Sequence, residues 1–291
     1  MRDSIDRMAM LRSRIAVLER QRPAMADRQQ ATNPDGGTDM LAFGHAAIDA
    51  ALSGGLARGR LHELFAASEG DSGAAAGFAA MLATLAVRGG PSLPHASPPH
   101  ASSFHASSGQ AGTVIWLRER LAEVRGGCLH APGLAELGLD PGRVILGVLD
   151  DPLALLRVAS DVVRCGQVSV VVIELWRQPR LLDLTASRRL AVAAEQSGVT
   201  ALMLRAEAEP TASAAQTRWS IASAAAVPLE ADAPGFPTLD LELLRQRGGP
   251  SGLAWRVEWD RDQGQFCEPT LSRAVVPLSQ RGPLVPRARR A

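Results

Sequence analysis

Residues 63–78 read ELFAASEGDSGAAAGF, a short apolar run that ends in small residues and then turns helical. A phosphate-cradling loop begins this way. The pattern G-x-x-x-x-G-K-[ST] works because its glycines let backbone N–H groups close around phosphates, its Lys reaches the outer phosphates and its hydroxyl holds Mg²⁺. With the second glycine placed on Gly73, Ser68 stands where the first glycine belongs, Ala74 where the Lys belongs and Ala75 where the hydroxyl belongs. Gly70 and Gly73 keep the loop small, so a helix N-terminus remains that can attract an anion weakly through its N–H groups and macrodipole. The chain contains no Lys at all, and only an Arg could replace the missing cation. Arg118 and Arg177, at the ends of expected strands, are the candidates. Losing one preorganised transition-state contact costs about 10²- to 10³-fold in rate, and here the cation and the metal anchor are both gone. No catalytic residue is assigned, and no cofactor or metal is expected.

A nucleotide site also needs an acid at the end of a buried strand to order Mg²⁺ and its waters. Glu174 closes VSVVVIE in that Walker-B-like place. Two readings stand: a metal-ordering acid, or a strand-end acid paired with an Arg, which the empty loop favours. Glu119, at the end of TVIWLRE, sits where a water-activating carboxylate could stand. His95, His100 and His105 recur every five residues in a PHAS-type stretch, but without carboxylates or cysteines they make a poor metal site.

The elements that must position these residues alternate. RLHELFA, TVIWLR, RVILGVL, VSVVVIELW and VTALMLR read as strands. AAAGFAAMLATLAVRG, DPLALLRVASDVVRCG and LLDLTASRRLAVAAEQSG read as helices, the second capped by Asp150 or Asp151 and the third ended by Gly198. Strands alternating with helices of this length predict an α/β fold, a mainly parallel sheet with helices on both faces. After the loop AEAEPTASAAQ the rhythm changes to period two in TRWSIAS, LDLELLR and GLAWRVEWD, an antiparallel C-terminal extension. Trp255, Val257 and Trp259 share a face there. Core packing is the favoured role of the two tryptophans over base stacking.

Around this core, expected over residues 39–270, lie a low-complexity insertion at 90–112 and two flanking segments. In residues 1–38, Met8, Leu11, Ile15 and Leu18 are spaced 3, 4 and 3 on one stripe of a helix, followed by a polar linker. The stripe either packs on its own domain or pairs with a partner. Residues 271–291 contain no acid but carry Arg273, Arg281, Arg287, Arg289 and Arg290, a basic tail.

Over 291 residues, 46% apolar content and a net charge of +1 describe a globular chain with one large core or two small ones. That balance argues against a general polyanion-coating protein. Cys128, Cys165 and Cys267 lack metal-type spacing and fit a reducing compartment. No run reaches the roughly 20 apolar residues that span a bilayer, and the expected location is cytoplasmic, with no membrane role.

FGHAAIDAALSGGLARGRLHELFA resembles the segment that leads into the RecA-type ATPase core, through Gly44, Asp49, Leu52, Gly54, Gly55, Leu56, Gly59 and Arg60. The departures at Ser68, Ala74 and Ala75, with LHAPGLAELGLDPGRVILGVLDD and RWSIASAA, are more similar to ImuA, a RecA-related bacterial family of the damage-induced mutagenesis cassette. The resemblance implies a RecA-like fold with a degenerate phosphate loop. It also implies a non-catalytic accessory role in SOS-induced translesion synthesis beside ImuB and an error-prone DNA polymerase III alpha subunit, with RecA as a further candidate partner. In RecA-type cores the loops after the acid-bearing strand and the next strand face DNA. Here they hold Trp176, Arg177, Arg180, Arg188 and Arg189, then Arg205 and Arg218, candidate DNA contacts; a solvated helix face explains Arg188 and Arg189 equally well. The alternatives are a nucleotide-dependent ATPase with an Arg-based site, and a damage-induced regulator of cell division or RecA.

Overall fold

A computed structural model of the chain describes residues 39–88, 112–229 and 233–269. The stripe Met8, Leu11, Ile15 and Leu18, the tail arginines Arg287, Arg289 and Arg290, and the three insertion histidines lie outside these residues.

The continuous apolar runs become central strands because they are covered on both sides. Strands β3 (Leu61–Ala66), β4 (Val114–Glu119), β6 (Val170–Trp176) and β7 (Thr200–Ala206) are buried along their whole length. With β5 (Val144–Leu149), β8 (Thr217–Ser223), β9 (Thr238–Gln246), β10 (Leu253–Asp260) and β11 (Gln265–Cys267) they form one nine-stranded sheet in the order β11-β10-β9-β8-β3-β7-β6-β4-β5, while β1 (Met40–Leu41) and β2 (Leu56–Ala57) form a separate antiparallel pair. Pairing is parallel from β8 through β5 and antiparallel from β8 outward through β11. The expected parallel core with an antiparallel C-terminal extension is therefore observed, and the extension is the sheet's own edge.

One face is covered by α2 (Ser72–Arg88) together with the short helices α1 (Ala46–Ala51), α3 (Arg120–Gly126) and α4 (Ala131–Glu136). The other carries α5 (Pro152–Arg164) and α6 (Leu184–Ser197). Asp151 Oδ1 accepts from Ala154 N–H at 2.8 Å and Asp183 Oδ1 from Ala186 N–H at 2.7 Å, so both long helices of this face start on carboxylate caps. Gly198, at φ +76, ends α6 in the left-handed region that a Cβ disfavours. The stretch Glu69–Arg88 has the length and hydropathy of a membrane-crossing helix. Here that composition serves the interior, for Phe78, Met81 and Leu82 are buried against the sheet, each contributing about 1.5–3 kcal/mol by removal from water.

An aromatic cluster joins the antiparallel strands to the parallel core. Phe43 lies 5.4 Å from Phe266 and 5.7 Å from Trp219, and Trp259 meets Phe266 edge-on at 4.9 Å. Trp255 packs on Trp219 in a tilted arrangement, ring centroids 6.1 Å apart. Both C-terminal tryptophans thus pack in or against the core. The Gly44 and Asp49 spacing also gains a reason: Asp49 accepts from the N–H groups of Phe43 at 2.7 Å and Gly44 at 3.0 Å, fixing the turn before α1.

His62 on β3 is fully buried in a hydrogen-bonded chain. Trp219 Nε1–H donates to Thr217 Oγ1 at 2.8 Å, and the His62 ring bridges that hydroxyl and Ala57 O, each at 2.8 Å. Burial pushes the imidazole down to about 4 from 6.5; the Ala57 carbonyl opposes that shift and Arg60 reinforces it. Between those values the unfolded chain binds a proton that the folded protein refuses, so stability falls as pH drops from 6.5 toward 4. The loss amounts to about 3 kcal/mol at 1.36 kcal/mol per unit. Urea unfolding across this range is expected to show it, and His62→Gln to flatten the slope.

Candidate functional site

The C-terminal ends of β3, β4, β6 and β7 form the crevice where an open α/β sheet binds ligands. Three of the strands deliver residues singled out by sequence: Ser68 to Ala75 after β3, Glu119 at the end of β4, and Glu174 near the end of β6 with Arg177 beyond it; Glu207, after β7, is not among them.

The loop after β3 is closed on itself. Residues 69–71 make a single 3₁₀ turn in which Asp71 N–H donates to Ser68 O at 3.1 Å and Ser72 N–H to Glu69 O. Two of the N–H groups that could face a phosphate are thereby spent inside the turn. No residue from Ser68 to Ala75 has positive φ, so the alternating right- and left-handed conformation that builds an anion nest is missing. The loop also carries its own anion. Asp71 Oδ1 accepts from both the N–H and the hydroxyl of Ser223 on β8 at 2.8 Å, and Oδ2 from Ser68 Oγ at 2.6 Å. The Ser223 N–H and then the Ser68 hydroxyl hold this carboxyl below its ordinary range. Its negative charge sits at the start of α2 and answers the helix dipole there. An acid of the chain itself therefore stands at the helix N-terminus where weak anion attraction is expected. Ala75, in the hydroxyl position, is fully buried, and Ala74, in the Lys position, packs against the core.

Glu174 lies beside this loop in a buried bidentate pair. Arg118 Nε is 2.7 Å from Glu174 Oε2, and Arg118 Nη2 donates to Oε1 at 2.8 Å. Trp116 Nε1–H adds a third bond to Oε2 at 2.8 Å. Two further guanidinium N–H groups donate to Gly127 O at 2.8 Å and Ala122 O at 3.3 Å. Of the two roles open to Glu174 from sequence, the geometry supplies the ion pair. Arg118, one of the two candidate replacement cations, is spent on it. A Cβ on Gly126 would stand 3.9 Å from both Arg118 Nη2 and Ser72 Oγ, so Gly126 packs between the pair and the start of α2. Glu119 is likewise engaged: Oε2 accepts from Trp176 N–H at 3.0 Å, and burial pushes its carboxyl up against the opposing effect of that bond.

Arg177 is exposed and held left-handed at φ +66, and its Nε lies 2.9 Å from Glu207 Oε2, on a residue also left-handed at φ +47. Non-glycine residues in that region carry strain, and here two of them terminate adjacent strands and bind each other. Arg177, foremost among the Glu207 partners, holds the Glu207 carboxyl below its ordinary range.

No protein-family model matches the chain, and no curated protein matches it. Among solved structures, a crystal structure of the RadB recombinase is similar at a TM-score of 0.49 and 15% identity, over 79% of this chain and 99% of that chain.

Two of the arginines expected to face DNA are interior. Arg205 and Arg218 are 1% and 7% exposed. Arg218 Nε pairs with Glu63 Oε2 at 2.8 Å and its Nη2 donates to Thr211 O. Arg205 lies over the Phe65 ring at 5.7 Å and donates to Arg177 O at 3.1 Å and to Gln178 Oε1. They fail as DNA contacts because both project from fully buried stretches of strand, where each needs a partner in the protein. Arg180, Arg188 and Arg189 are exposed and make no ion pair with described residues. Sequence reasoning missed Glu63, whose single acid inside LHELFA is the only local signal of a buried counter-charge.

Proposed function

We propose that this chain is a non-catalytic scaffold on a nucleotide-binding frame. The observation that carries the reading is Asp71, whose buried carboxylate ties the degenerate phosphate loop to Ser68 and Ser223 and sets a negative charge beside the start of α2. With Arg118 bound to Glu174 and Ala74 packed against the core, neither the replacement Arg at the end of β4 nor the Lys position offsets it, and the desolvation of a polyanion there goes uncompensated by either. A frame can be retained for its surfaces when its chemistry is gone. The sequence resemblance to ImuA supplies the setting: SOS-induced translesion synthesis, in contact with ImuB and an error-prone DNA polymerase III alpha subunit, with RecA as a further candidate. The exposed arginines Arg180, Arg188 and Arg189 suit acidic partners or DNA phosphates.

A second reading, an Arg-based nucleotide enzyme, draws on Arg177, exposed and strained at the crevice. The readings part on titration calorimetry with ATP and Mg²⁺ and on pairwise pull-downs. The scaffold reading expects no saturable heat and co-purification with ImuB or the polymerase. ATP hydrolysis abolished by Arg177→Ala would overturn it, as would failure to associate in every pairing.

A further inference from the structure

The two edges of the sheet are treated differently. At β11 the edge is three residues long and closed, with Phe266 N–H donating to Phe43 O at 2.9 Å. At the opposite edge β5 has one neighbour, β4. Beyond that ladder, no described residue makes a backbone hydrogen bond to Ile145–Leu149. The strand reads VILGVL, with no charge, proline or bulge, the devices that keep an edge from pairing with another chain. Its surroundings are apolar and open: Leu146 is 43% exposed, and Val124, 73% exposed, projects from α3, which packs against β5.

Opposite charges flank the run, Arg143 before it and Asp150 and Asp151 after it. Within the chain Arg143 and Asp150 meet Asp140 at 3.5 Å and Arg120 at 2.6 Å, in contacts that leave both side chains at least 40% exposed. A second strand of the same sequence laid antiparallel brings each Arg143 to the acidic end of the other copy. Laid parallel, it brings like charges together.

From the open edge, its apolar rim and this charge order, we infer that the protein forms a twofold homodimer by antiparallel pairing of β5 with β5 of a second copy. The twofold makes the contact isologous, so both copies gain the same bonds. Main-chain hydrogen bonds supply the attraction, and Val124 and Leu146 lose water against the partner. One six-residue strand per copy gives an interface at the small end, below about 1,200 Å², so association falls in roughly the micromolar range. The inference is independent of the scaffold reading; where both hold, each dimer offers every partner site twice.

Sedimentation velocity on the full chain between about 1 and 100 µM tests it, a range set by that affinity. The expected result is conversion from the 30.7 kDa chain to a species of twice the mass. Leu146→Lys and, separately, Arg143→Glu are each expected to weaken the dimer by about tenfold or more, with circular dichroism melts unchanged. Adding Asp150→Arg to Arg143→Glu restores association by exchanging the charges. If Leu146→Lys fails to fold, the exposed Arg143 variants decide alone. A monomer throughout the range overturns the inference, and so does a dimer indifferent to the variants.

Discussion

Glu174→Ala is expected to lower the free energy of unfolding by about 3–5 kcal/mol, the cost of removing one partner of a buried ion pair. Arg118, 3% exposed, would keep its charge and retain only the carbonyls of Gly127 and Ala122. Trp116 Nε1–H would lose its acceptor as well. Urea unfolding reads the effect as a lower midpoint at constant slope, because the surface exposed on unfolding hardly changes. The sign separates the two roles first open to this acid. A carboxylate held unpaired for a metal is a local liability, and its removal leaves stability level or raises it. A carboxylate that neutralises Arg118 does the opposite. Changing both partners, Glu174→Leu with Arg118→Met, is expected to recover most of the loss, since apolar replacement of a whole buried pair is commonly near neutral. Wild-type stability in Glu174→Ala would end the structural assignment.

The sheet was legible because continuous apolar runs and carboxylate-capped helices each answer to short-range rules. Asp151 and Gly198 sit where capping chemistry puts them, and VSVVVIELW is buried at every described strand position. The loop was legible as a deficit, through Ser68, Ala74 and Ala75, whose side chains lack the required groups. Its closure was not, because Ser223, the partner that holds Asp71, lies 152 residues away and no local pattern couples them. The acid at position 71 was visible, yet its meaning depends on which strand lies opposite. The same holds for the buried arginines. Arg205 and Arg218 look like a basic loop surface in sequence, and only the register of β3 against β7 and β8 sets Phe65 beside Arg205 and Glu63 beside Arg218. Pairings set by sheet topology are non-local, and they decide which charges face water.

Glu63→Ala is expected to cost about 3–5 kcal/mol, as for any buried charge stripped of its partner, and to loosen the crevice selectively. Glu63, 2% exposed on β3, pairs with Arg218 at 2.8 Å and accepts from Ser213 Oγ at 2.8 Å. Arg205 also depends on it. Burial lowers that guanidinium to about 10, Glu63 pulls it back up and Arg218 pushes it further down. Without Glu63 two buried cations face each other with no counter-charge. Both hold the loops after β6 and β7, Arg218 through Thr211 and Arg205 through Arg177 and Gln178, and Gln178 Nε2 donates across to Thr211 Oγ1 at 3.2 Å. Amide hydrogen exchange in residues 177–183 and 207–216 is therefore expected to accelerate more than in β6, because the loops lose their anchors while the strand keeps its ladder. Glu63→Gln retains an acceptor for Ser213 and separates the two contributions: an intermediate loss assigns the remainder to charge. If Glu63→Ala loses less than about 1 kcal/mol, the scale of an exposed pair, water reaches these arginines and they become available again to an anionic partner.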